Sequence, residues 1–256
     1  MEEMIQAACK SSLNSLGFSS HAYSGLPIEL GEMKEENINP YFETIENLKE
    51  KYKDRIEIFA GFEYESRNAA HCIKIDKRCD YAIGSVHLFE KDKVLYSVDH
   101  SPEKFSQAEE VFGSKQKLCE NYFEELLRFA KTTDFDIVGH FDLVTKFIET
   151  GKIEDFSKEK WYTDMSLYYL EQTAKTGKIF EVNTGAISRG WRSLPYPDFK
   201  LLKKLRELKV PVTVSSDAHS AQAISQSFDL AEKILREAGF SEVVRLTENG
   251  FVSVPL

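Results

Sequence analysis

The sequence is poor in the features that would mark a secreted, fibrous or membrane-bound chain. Its four cysteines, Cys9, Cys72, Cys79 and Cys119, form no C-x-x-C pair. A chain of 256 residues has apolar material enough to fold without staples, so they read as reduced thiols, not as a disulfide framework or a zinc ribbon. Seven prolines and 13 glycines exclude collagen-like and Pro/Gly-rich low-complexity classes. No run approaches the roughly 18 apolar residues of a membrane span. The opening MEEMIQAACKSSLNSLG has neither the basic flank nor the apolar stretch of a signal peptide, so a cytoplasmic protein is expected. Basic residues are also short: 33 Lys and Arg stand against 42 Asp and Glu, a net charge of −9. That balance, with no basic stripe, argues against a nucleic-acid partner but leaves room for a local pocket that takes one phosphate.

What is present is an alternation of short apolar runs with longer amphipathic stretches. Strands are predicted over 16–21, 55–63, 80–87, 135–141, 179–184 and 210–216. Helices are predicted over 2–15, 39–53, 102–131, 158–176, 197–208 and 223–239, and a short tail covers 251–256. The segment 88–115 is the longest polar stretch and reads as an excursion from the sheet. Strands that alternate with helices imply an α/β fold with a parallel sheet and right-handed crossovers. No linker, repeat or low-complexity segment divides the chain, so one domain over 1–256 is expected.

The chemistry collects at strand ends. Four of the six histidines, His21, His87, His140 and His219, stand at the C-terminal ends of predicted strands. Glu63 ends the RIEIFAGFE strand and Asp217 the VTVSSD strand. In a (β/α) barrel these ends share one face, so the six side chains would converge although they are far apart in sequence. One histidine at a strand end is ordinarily a satisfied polar residue. Four of them with two carboxylates are the donor set of divalent metals. Close cations can hold a hydroxide nucleophile and neutralise a phosphoryl group, which is a route to phosphoester hydrolysis. His71 and His100 lie off the strand ends. His71 reads as a surface or supporting residue, and His100, in SVDHS, as a possible substrate contact.

At GFE, GSVH, GHFD and SSDAH the sequence resembles the PHP (polymerase and histidinol phosphatase) superfamily, most closely its stand-alone histidinol-phosphatase branch. DYAIGSVHLF, YSVDHSPEKF, ENYFEELLRFAK, FDIVGHFDLVTKF, EVNTGAISRG and SSDAHS follow one another in the order the branch shows. The resemblance implies a distorted (βα)7 TIM-like barrel, three divalent metal ions (zinc, manganese or iron), and hydrolysis of L-histidinol phosphate to L-histidinol and phosphate in histidine biosynthesis. It makes Glu63 a bridge between two metals. His87 and His140 complete one of these sites, Asp217 binds the other, and His21 and His219 hold the third metal. Arg189 becomes a candidate phosphate clamp because guanidinium forks suit phosphate oxygens, with Asn183 and Arg192 as further candidates for the substrate pocket. Asp217 and His219 are the candidates for protonating the leaving alkoxide.

The family pattern also begins with a strand ending in His-x-His and, several residues on, an aspartate. The 256 residues contain neither. The reading expects a gene start upstream of Met1, adding roughly 15–20 residues by strand and loop lengths. It leaves the site of Glu63, His87 and His140 as the complete one. Two alternatives stand beside the phosphatase: a PHP phosphoesterase acting on nucleotides or phosphosugars, and a truncated, non-catalytic metal-binding relic.

Overall fold

The six apolar runs that alternate with amphipathic segments form a single parallel sheet in the computed structural model, which describes residues 1–26, 31–69 and 72–256. In chain order the elements are α1 (Glu2–Lys10), β1 (Ser15–His21), α2 (Ile38–Tyr52), β2 (Glu57–Glu65), β3 (Tyr81–Ser85), β4 (Leu88–Lys91), β5 (Val94–Ser97), α3 (Pro102–Phe112), α4 (Lys115–Thr132), β6 (Ile137–Val138), α5 (Lys160–Ala174), β7 (Ile179–Asn183), the short α6 (Gly185–Ser188), α7 (Phe199–Glu207), β8 (Val212–Ser215), α8 (Phe228–Ala238), β9 (Glu242–Thr247) and β10 (Gly250–Pro255). The sheet order is β1-β2-β3-β6-β7-β8, every neighbour parallel. Among the described residues no helix is long and apolar enough to cross a membrane.

The sheet has two unlike faces. Ile58, Ala60, Phe62 and Tyr64 of β2 belong to the main core with the helices, where Tyr41, Phe42, Ile45 and Leu48 of α2 present one apolar side. The alternate residues Phe59, Gly61, Glu63 and Glu65 face the concave side, because side chains alternate along a strand. There Phe59, Tyr81, Ile83, Ile137 and Ile179 form a second apolar cluster, closed by Val244, Leu246 and Phe251. Further along the same strands the concave face turns polar, with Glu63, Glu65, Ser85, Glu181 and Asn183. Apolar filling at one end and carboxylates at the other is the barrel arrangement expected from the sequence.

Several expectations are corrected in detail. The long helix over 102–131 is two helices. Gly113, at φ 90°, ends α3 in the left-handed conformation, and Ser114 restarts α4 by accepting the Lys117 N–H on its hydroxyl at 3.2 Å. The polar excursion contains the β4–β5 hairpin, turned by Asp92 and Lys93 at φ 52° and 63°. The tail is the second strand of an antiparallel β9–β10 hairpin. Strand β6 is short, Ile137–Val138, with Gly139 still donating its N–H to the Gly84 carbonyl at 3.0 Å before His140. The six strands of the parallel sheet among the described residues match the number read from the sequence, one fewer than the seven of the family pattern. Among the described residues β1 and β8 each pair along one edge alone.

Candidate metal centre

Register sets the heart of the site. His21 pairs with Glu63 across β1 and β2, so both project from the same level of the concave face. His87 follows β3 and His140 follows β6, both at the C-terminal ends of their strands. Glu63, nearly buried, sits between the rings: His140 Nε2 is 3.1 Å and His87 Nε2 3.5 Å from its Oε1, and His21 Nδ1 is 3.6 Å from its Oε2. The two Nε2 atoms face each other at 3.2 Å. Donor atoms of His21, Glu63 and His87 all lie within 4.8 Å of one another.

Supporting groups fix this geometry. Glu65 Oε2 accepts the backbone N–H of His87 at 3.0 Å and its Nδ1 at 3.1 Å, while Oε1 accepts the Ser66 N–H and hydroxyl at 2.8 and 3.0 Å. A proton held on His87 Nδ1 leaves the Nε2 lone pair aimed at the centre. Glu181 Oε2 accepts the His140 N–H at 2.8 Å and the Asn183 amide at 3.0 Å. The electrostatics follow from burial among opposite charges. Burial works against the Glu63 carboxylate, but His21, His140 and His87 hold its pKa well below the ordinary value. Burial also disfavours charge on His87, yet Asp99, Glu65 and Glu63 push it up to about 10. Glu181 goes the other way: burial, with Asp217 nearby, raises it.

The donor set fits a divalent cation. Two imidazole nitrogens 3.2 Å apart and a carboxylate oxygen point at one region, and within the protein alone a proton must separate them. A cation accepts all three lone pairs. Mixed nitrogen and oxygen donors suit zinc, manganese or iron.

Asp217 and His219 form a second group after β8. His219 Nε2 lies 3.4 Å from Asp217 Oδ1, and 68 % of its side chain is exposed. Asp217 adopts a left-handed backbone, φ 43°, uncommon for a residue with a Cβ. Arg189 holds it there, donating to the Asp217 carbonyl and to Oδ2, each at 2.8 Å, and the Asn183 amide reaches Oδ2 at 3.3 Å. Burial raises the Asp217 pKa, but His219 and Arg189 outweigh it and hold it at about 2. Arg189 and Asn183 thus stand beside a candidate ligand. Arg192 does not: it donates to Thr145 Oγ1 and to the Leu194 carbonyl, and lies 4.3 Å over the Tyr196 ring, near buried Asp142. His100 lines the site cavity of about 270 Å³ with His21, Glu63 and His87. His71 lies outside the described residues.

Sequence reasoning missed Glu65, Glu181 and Asp99. Glu65 had a usable signal, since it stands two residues beyond Glu63 and so shares its face. Glu181 sits inside an apolar run whose concave face is set by its neighbours. Asp99 arrives through the β4–β5 hairpin, whose path periodicity does not reveal.

Comparison with known proteins agrees with this architecture. A "Probable histidinol-phosphatase" of Schizosaccharomyces pombe is 27% identical over 257 aligned residues, covering 95% of this chain and 82% of that protein. The Bacillus subtilis "Histidinol-phosphatase" is 21% identical and covers 90% of each. In fold, the chain is similar to the crystal structure of histidinol phosphate phosphatase from Lactococcus lactis, described as complexed with zinc, L-histidinol and phosphate. The TM-score is 0.69 at 22% identity, over 98% of this chain and 92% of that one. The PHP domain profile matches residues 1–185, which hold His21, Glu63, His87 and His140 on their curled parallel sheet, and by that match the chain belongs to the PHP domain family.

Proposed function

We propose that this protein is a metal-dependent phosphomonoesterase that hydrolyses L-histidinol phosphate to L-histidinol and phosphate, acting as one domain over 1–256 in the cytoplasm. The observation that carries the reading is the convergence of Glu63 with His21, His87 and His140 at the C-terminal mouth of the sheet, within 3.1–3.6 Å of the carboxylate. The relatives' names supply the substrate.

In this reading Glu63, His87 and His140 hold one divalent cation, with His21, Asp217 and His219 as ligands of further ions. Bound cations there would lower the pKa of water and neutralise the phosphoryl oxygens. The protein's own groups do the rest. Glu65 keeps the His87 ring oriented through Nδ1, and Glu181 fixes the backbone of His140. Arg189 brings a guanidinium to the Asp217 side of the site, where it adds positive charge for developing phosphoryl oxygens. A member of the Asp217–His219 pair that is not engaged by a cation delivers the proton to the leaving alkoxide, and His219, which reaches solvent beside Asp217, is the better placed of the two.

The test is phosphate release from L-histidinol phosphate by the purified protein with zinc or manganese, before and after chelation, beside a nucleoside monophosphate and a sugar phosphate. Turnover that prefers L-histidinol phosphate and is abolished by the chelator is expected. Preference for a nucleotide or sugar phosphate overturns the substrate assignment. About one tight metal per chain with no turnover on any ester makes the protein a metal-binding relic.

A further inference from the structure

Beyond the Glu63 cluster the site cavity continues to Gly31, Glu32, Ser97, Asp99 and His100, and among the described residues no lysine or arginine lines it. For a pocket that receives a phosphate ester this is an unusual wall. Among the described residues four carboxylates face it, and three are matched by groups of the protein. Glu63 has His21, His87 and His140. Glu65 is saturated by His87 and Ser66. Asp99 receives the Lys146 ammonium at 3.1 Å, which also holds the Asp99 carbonyl at 2.7 Å, and the Ser97 hydroxyl at 3.2 Å. Glu32 is different. Its Oε2 accepts the neutral backbone N–H of Ser24 at 2.8 Å, which fixes the carboxylate in place without cancelling its charge. No cation pairs with it among the described residues.

A phosphoryl group seated at the Glu63 end leaves the organic part of a small ester to occupy the remainder of the cavity. We propose that Glu32 is a specificity-determining residue that receives the ammonium group of an amino-alcohol phosphate and of its amino-alcohol product. This rests on the phosphomonoesterase reading and deepens it. The same charge repels esters that carry a second anionic group, so it selects against acidic phosphosugars as well as for amines.

The test compares the holoprotein with Glu32→Gln. The amide oxygen of Gln can still accept the Ser24 N–H, so the variant removes charge and keeps the local contact. Calorimetric titration with L-histidinol alone and with inorganic phosphate alone reads the two ends of the cavity separately. The expected result is an L-histidinol affinity at least tenfold weaker relative to phosphate affinity. The ratio of kcat/KM for L-histidinol phosphate over 4-nitrophenyl phosphate should fall by a similar factor, and Glu32→Asp should recover part of both. An L-histidinol affinity within twofold of the unaltered protein overturns the assignment, as does an equal loss of phosphate affinity. L-histidinol binding that depends on Glu32 in a protein with no turnover upholds the cation subsite and sinks the phosphatase reading. Turnover of L-histidinol phosphate with histidinol binding indifferent to Glu32 does the reverse.

Discussion

Glu65 never reaches the centre of the site, yet its replacement by glutamine should damage it in a calculable way. Its two oxygens accept four hydrogens: Ser66 N–H and O–H on Oε1, His87 N–H and Nδ1 on Oε2. Glutamine has the same shape but only one oxygen. Whichever way the amide turns, its NH2 faces a backbone N–H, either that of Ser66 or that of His87. A buried N–H left without an acceptor costs about 1–3 kcal/mol. If the amide nitrogen faces His87, the ring also loses the partner that holds the Nδ1 proton. Losing such a partner of a metal-ligating histidine typically weakens metal binding roughly 10–100-fold, or about 1.4–2.7 kcal/mol at 1.36 kcal/mol per tenfold. Two assays read this. Chelator competition with zinc or manganese should show the site in Glu65→Gln weakened by up to about 10–100-fold, the full factor belonging to the orientation whose amide nitrogen faces His87, and denaturant unfolding of the metal-stripped protein should show a loss of about 1–3 kcal/mol in either orientation. A variant with metal affinity within threefold of the unaltered protein and unchanged stability would refute the claim that Glu65 orients His87.

Three further outcomes are expected. Glu63→Gln should bind less than about a tenth of the metal held by the unaltered protein, measured by elemental analysis after dialysis, because it removes the charge shared by three imidazoles. Asp217 has its folded-state pKa depressed to about 2, so it contributes stability above the ordinary carboxylate value, about 2 kcal/mol in full, and loses it as pH falls toward 2. Metal-stripped protein should therefore lose more stability between pH 6 and pH 3 than Asp217→Asn does, and parallel losses would refute the pairing with His219 and Arg189. Gly61→Ala should destabilise the fold by about 1–3 kcal/mol in chemical denaturation, since a Cβ there would lie 2.7 Å from the backbone carbonyl oxygen of Tyr81, which cannot swing aside.

The strands were legible because each is an apolar run bounded by polar residues: all six parallel strands overlap the predicted segments, with β1 starting one residue before its segment and β2 running on past it to Glu65. The site was legible because its ligand candidates end strands, where a parallel sheet must gather them; His21 opposite Glu63 is the plainest case. The break at Gly113 was missed because both halves are amphipathic and only the glycine's left-handed backbone separates them. The β9–β10 hairpin was missed because its residues are half-exposed and mix valine with arginine, which blurs the alternation. Arg189 could be placed near the site from sequence, but its engagement with Asp217 depends on the left-handed turn at that aspartate, which no spacing encodes.

The hairpin has a consequence for how the molecule is made. The concave cluster of Phe59, Tyr81, Ile83, Ile137 and Ile179 is covered by Val244, Leu246 and Phe251, which lie at the far side of the sequence. While β1 to β8 emerge from a ribosome, that lining has nothing to bury against. Contacts between such distant residues form slowly, and the apolar trough stays open to other chains meanwhile. The folding of this protein should therefore end in one late step, the seating of the hairpin, and the same strands that carry the carboxylates at one end wait for it at the other.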